Sequence, residues 1–216
     1  MFIGHLAVGL AAKRTAPRVS LAVLFVAAQL ADILWPIFVA IGLEQVRIDP
    51  GNTAMTPLDF VSYPYSHSLL LLAVWGVALA LICRPFARGR LAFAVIIALV
   101  VSHWVLDVIV HRPDMPLFPG GPKFGLGLWN SIPATLAVEV PMCLAGVSIY
   151  TRVTHPRDRI GKWAFSVLVV TLLLIYVANI FSPPPPSVKA LWIVAITGAG
   201  LFTLWSWWAD SHRDVA

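Results

Sequence analysis

The sequence predicts an all-α polytopic membrane protein with about six transmembrane helices and a short N-terminal half-span helix. Three observations predict it. Of the 216 residues, 59% are hydrophobic and only 12% charged, far from an average soluble domain. Several apolar runs reach the roughly 20 residues that span a bilayer. The lysines and arginines fall in alternate connections, as in multispanning proteins.

The elements follow in order. Phe2 to Ala12 is apolar but only about a half-span long. No basic region precedes it and His5 interrupts it, so it does not read as a cleavable signal peptide. Full spans are expected near residues 19–43, 67–83, 91–111, 132–151, 162–181 and 188–208. Pro183 to Pro186 make a stiff turn between the last two. Trp205, Trp207 and Trp208 form an aromatic belt where the last span leaves the membrane. The chain is expected to form one membrane domain, 1–216, with residues 1–151 supplying metal-site helices and 162–208 a scaffold pair. Cys83 and Cys143 are far apart and are not expected to pair.

Orientation comes from the cations. Lys13, Arg14 and Arg18, then Arg84, Arg88 and Arg90, then Arg152, Arg157, Arg159 and Lys162, and finally Arg213 all fall on one side. The other side has Arg47, Arg112, Lys123 and Lys189. The positive-inside rule then puts the 44–66 and 112–131 loops outside the cytoplasm. The formal charge of +5 is therefore a topology signal, and no basic stripe suits nucleic acid.

The chemistry is concentrated in one stripe. His103, Asp107 and His111 are spaced by four, which puts them on one face of a helix. Ionisable groups at bilayer depth usually mark a functional site, and imidazole nitrogen and carboxylate oxygen both ligate zinc. Counting about 1.5 Å per helical residue from the nearest cytoplasmic cation brings other groups to a similar depth. Asp32 stands roughly 21 Å from Arg18, His103 and Glu139 roughly 20 Å from Arg90 and Arg152, and His67 roughly 26 Å from Arg84. His5, about 12 Å from Lys13, fits least well unless its anchor lies deeper.

Each group also has a plainer reading. A single membrane histidine is often an interhelical hydrogen-bond donor. His111, beside Arg112 and Pro113, either joins the site or faces water. Glu139, between Pro133 and Pro141, is either a ligand or base, or a structural partner. Convergence of five such groups favours a cation site, because clustered carboxylates repel unless neutralised.

The ordered set Gly4-His5, Asp32, Ser66-His67-Ser68 and His103-Trp-Val-Leu-Asp107 resembles the YdjM-type family of bacterial inner-membrane proteins, which are predicted to be metal-dependent hydrolases. The resemblance covers about residues 1–115. The same order is similar to that of the zinc-dependent phospholipases C and the related single-strand-specific nucleases. By that likeness Asp32, His67, His103 and Asp107 hold one ion, and Asp107 bridges to a second held partly by His5. His111 and Glu139 complete the second ion or hold a third. The chain has no later His-x-x-x-Glu or His-x-x-x-Asp pair.

The resemblance implies one or two ions of Zn²⁺ or another divalent metal and a bacterial inner-membrane location, and the topology with the depth count is expected to open the site to the external side. The expected function is hydrolysis of a phosphoester or ester in a lipid or lipid-linked substrate. Asp107 and Glu139 are the expected catalytic residues. Arg112 and Lys123, in the loop with Gly120-Gly121, either bind substrate phosphate or are solvated cations of an ordinary turn. The alternative function is a metal-ion or proton transporter or channel using the same groups. A structural protein with a stabilising metal is the third reading.

Overall fold

The computed structural model describes Met1–Ala216. Nine helices carry the chain: α1 Ile3–Ala12, α2 Leu21–Ala28, α3 Leu30–Ala40, α4 Pro64–His67, α5 Leu69–Ile82, α6 Arg90–Val110, α7 Ile132–Val153, α8 Arg159–Phe181 and α9 Val188–Ser211. Short polar side chains start most of them. Ser20, Ser68, Ser131 and Ser187 accept the first free amides of α2, α5, α7 and α9, and Asp158 does the same for α8.

Four helices, α6 to α9, are long and apolar enough to cross a membrane, and α2 with α3 makes a fifth span if the bent pair counts as one. Length alone therefore does not reach the six expected spans. The first expected span is broken: α2 and α3 meet at 59°. Gln29, between them, leaves helical geometry at φ −107° and ψ 11°. The second is shortened at its start, because Ser68 is extended and separates the single turn of α4 from α5. The 14 residues of α5 span only about 21 Å.

The two long loops are partly ordered as strands. Gln45–Ile48 (β1) and Leu58–Ser62 (β2) form an antiparallel hairpin with a bulge between Gln45 and Arg47. Met115–Pro116 (β3) and Lys123–Phe124 (β4) pair in the same way. Thr154–Pro156 (β5) pairs with Arg213–Val215 (β6), which draws the tail back to the end of α7.

The core has two main apolar clusters. One joins α2, α5 and α6 through Leu24, Ala28, Leu72, Ile96 and Val100. The other wraps α1 with Leu21 and Phe25 of α2, Tyr150 of α7, and Phe165 and Leu168 of α8. α1 is thus an internal helix, although it is too short to span. Its close approach to α7 needs Gly146, where a Cβ would stand 2.5 Å from the Ala7 carbonyl oxygen.

The far end of α1 is tied down by a buried ion pair. Lys13 Nζ donates to Asp210 at 2.7 Å and to the Val19 carbonyl at 2.9 Å. Asp210 also accepts from the Leu21 amide at 2.9 Å and the Tyr150 hydroxyl at 2.7 Å. Lys13 is only 4% exposed, so it is an anchor inside the bundle and not at its surface. Counting depth from it understates the height of His5.

Candidate metal centre

Asp107 lies in the last turn of α6 and is buried. Its Oδ2 is 3.0 Å from His103 Nε2, 3.8 Å from His67 Nε2 and 3.9 Å from His111 Nε2. Its Oδ1 is 2.9 Å from His5 Nε2 and accepts from the Met1 nitrogen. Asp32, in the first turn of α3, places Oδ1 3.5 Å from His67 Nε2 and 3.7 Å from His103 Nε2. Two groups could each hold an ion, His5–His103–Asp107 and Asp32–His67–His103, with ligand atoms within 4.8 Å of one another. The structure therefore brings together His5, Asp32, His67, His103 and Asp107, from four separate helices.

The far side of each of three rings is fixed. His103 Nδ1 is 2.8 Å from the carbonyl oxygen of Ala28, which can only accept. In the neutral ring the proton is therefore on Nδ1, and Nε2 carries a lone pair. His67 Nδ1 is 2.7 Å from Ser66 Oγ, and that hydroxyl donates to Glu44 Oε2 at 2.7 Å. With the hydroxyl proton committed, His67 Nδ1 must donate and Nε2 is again bare. His111 Nδ1 is 3.1 Å from Asp114 Oδ1, which also accepts from the Tyr63 hydroxyl. Burial and the Asp114 carboxylate push the Tyr63 pKa well above its ordinary value, so the hydroxyl stays a donor. Three imidazoles thus turn Nε2 toward one carboxylate oxygen. Nδ1 held by a carbonyl, by a carboxylate or, for His67, by a hydroxyl backed by a carboxylate, with Nε2 free, is the arrangement typical of metal-ligating histidine.

Such a set does not fit itself. A bare Nε2 facing a carboxylate oxygen at 3.0 Å sets two acceptors against each other. His103 Nε2 is buried and has no hydrogen-bond partner. A cation among these atoms would satisfy them, and nitrogen–oxygen donors of this kind suit Zn²⁺ or a similar divalent ion. His5 adds a ring stacked on His103, with centroids 3.7 Å apart and planes 7° from parallel. Access is on the Asp32 side: that side chain is 44% exposed, whereas those of His67, His103, His111 and Asp107 are at most 4% exposed.

The remaining expected residues fall differently. His111 does not face water: it caps α6 and is buried beside Asp107, although it belongs to neither three-residue group. Glu139 reaches the start of α1. Its Oε2 accepts from the Phe2 and Gly4 amides at 3.1 and 3.2 Å, and Oε1 is buried without a partner. That is the structural-partner geometry, a carboxylate on the positive end of the helix bearing His5. Arg112 is not a free phosphate binder. It donates to Asp59 Oδ1 at 2.9 Å, and Asp59 also takes Arg47, whose hydrogen bond holds the Asp59 carboxyl below the usual carboxylate range. Lys123 is exposed on β4, and no hydrogen bond or ion pair ties it to the cluster.

Three contributors were missed in the sequence. Glu44 sits in the turn before β1, buried, with both oxygens engaged by Tyr65, Ser66 and the Ser66 hydroxyl. No spacing links it to His67. Asp114 follows His111 by three residues, a short-range signal that was available. The Ala28 carbonyl is a backbone atom and has no residue-type signal at all.

A family model described as YdjM inner membrane protein matches residues 1–183, from the start of the chain to just past α8. The match extends well beyond the first 115 residues, where the motif resemblance lies. No curated protein and no solved structure matches.

Proposed function

Because the chain belongs to the YdjM inner membrane protein family, we propose that its His/Asp cluster is the divalent-metal centre of a membrane-embedded hydrolase. The substrate class is a phosphoester or ester of a lipid or lipid-linked molecule. The observation that carries this reading is the triple convergence of His67, His103 and His111 Nε2 on Asp107 Oδ2, each ring held from behind.

Asp32, His67, His103, Asp107 and His5 would hold the metal, with His111 at the edge. A divalent ion bound there supplies a hydroxide near neutral pH and polarises a phosphoryl or carbonyl oxygen. The residues do the rest. Asp107 presents one oxygen to His5 and the other to His67 and His103, so its carboxylate would serve both three-residue groups. Glu44 and Ala28 keep His67 and His103 from rotating away. Asp32 forms the open edge, where a lipid head group enters without leaving the membrane. Loops 44–66 and 112–131 surround this end of the bundle, and the excess of cations in the opposite connections supports an external-facing site.

The test is turnover of lipid phosphoesters by the purified, metal-loaded protein in detergent, where no gradient exists. Wild type hydrolyses one lipid class and Asp107→Asn does not. A fully metallated wild type with no turnover, which instead carries metal ions or protons across liposomes, replaces the hydrolase with a transporter.

A further inference from the structure

About 24 Å along α6 from the cluster, counting from Asp107 to Leu91, the α1–α2 and α5–α6 connections line a cavity. Its volume is about 450 Å³, and Arg18 and Arg88 line it beside Ala16, Pro17, Phe86 and Leu91. Neither arginine is neutralised. The lysine and arginine ion pairs of the protein involve Lys13, Arg47 and Arg112 only. No Asp or Glu occurs in residues 1–31 or 60–106, while Arg14, Arg84 and Arg90 add charge to the same two connections.

The rim of the cavity is apolar as well as cationic. Phe86 is 79% exposed and Leu91, in the first turn of α6, is 59% exposed. α6 is a membrane span, so Leu91 stands where head groups give way to hydrocarbon. Guanidinium forks match phosphate oxygens in pairs, and basic pockets between membrane helices suit anionic head groups. A free phosphate would use the two arginines but would leave Phe86 and Leu91 unused.

We propose that this cavity binds the phosphate of an anionic phospholipid in the leaflet opposite the metal cluster. Arg18 and Arg88 hold the phosphate oxygens, and an acyl chain lies against Phe86 and Leu91. This site is independent of the chemistry assigned to the cluster.

The experiment uses the full-length protein in detergent with short-chain phosphatidylglycerol, phosphatidylcholine of the same chain length, or inorganic phosphate. Retention is read by native mass spectrometry and by thermal shift. Wild type retains phosphatidylglycerol over phosphatidylcholine, and salt weakens that preference. Both Arg18 and Arg88 are exposed, so Arg18→Gln with Arg88→Gln should fold. The pair should lower phosphatidylglycerol affinity by about 25-fold, roughly fivefold per cation, with phosphatidylcholine unchanged. Arg152→Gln with Arg159→Gln removes equal charge elsewhere and leaves binding intact. The proposal is overturned by equal retention of the two lipids in wild type, or by an equal loss in the control pair. It is also overturned if inorganic phosphate displaces phosphatidylglycerol at comparable concentration, which would make this a soluble-phosphate site.

Discussion

His103 Nδ1 points at the carbonyl oxygen of Ala28, 2.8 Å away, at the point where α2 ends and the chain turns 59° into α3. A side chain inserted into the helix ladder is a recognised cause of a sharp bend. The same break starts α3 at Leu30 and so places Asp32 in its first turn, facing His103 and His67. One backbone irregularity therefore sets the tautomer of one proposed ligand and the position of another.

Glu44→Gln tests the support behind His67. The substitution preserves size but can present an amide nitrogen where Ser66 Oγ now donates. Loss of such an outer partner typically weakens metal binding by about 10- to 100-fold. Competition with a chelator should show a drop of that order in the variant, while far-UV circular dichroism stays unchanged. Unaltered affinity would make Glu44 a loop-packing residue only.

Gly146→Ala tests how His5 is positioned. The added methyl would meet the Ala7 carbonyl and push α1 off α7. Overpacking of this kind costs about 1–3 kcal/mol. The variant should melt earlier in detergent and bind metal less tightly, because His5 shifts with α1. A lowered melting temperature with full metal affinity would remove His5 from the ligand set.

Lys13→Met separates stability from the site. It leaves Asp210 buried without its cation, and breaking a buried pair costs about 3–5 kcal/mol. The remaining bonds to Leu21 and Tyr150 should hold the loss near the lower end. Thermal unfolding should shift strongly, with metal content per folded chain unchanged.

Topology is open to direct labelling. Single cysteines at Ser131 or Thr53, in a background lacking Cys83 and Cys143, should react with an impermeant reagent from outside whole cells. Cysteines in the 84–90 connection should react only after permeabilisation. The reverse pattern would put the proposed centre on the cytoplasmic side.

Much of this arrangement was legible in the sequence, and the exceptions have physical causes. His103 and Asp107 are found by spacing because α6 is regular between them. Asp32 and His67 are found by depth, since their nearest cations sit at helix ends. His5 fails that count because Lys13 is drawn inside by Asp210, a partner almost 200 residues away. The α2–α3 break hides in an unbroken apolar run, where Gln29 carries little breaking signal. Glu44 lies 22 residues before Ser66 and reaches it only through the folding of the β1–β2 hairpin. Arg112 looked free because its partner, Asp59, is on the other long loop.

The most direct measurement is metal content of the purified protein by elemental analysis, for wild type and for Asp107→Asn. Asp107 supplies both oxygens to the converging imidazoles, and the variant keeps its shape while losing the charge that offsets a cation. The account predicts at least one divalent ion, most simply zinc, per wild-type chain, and its loss from a variant that still folds. A folded wild-type protein without stoichiometric metal, or an Asp107→Asn protein that keeps it, would contradict the metal centre.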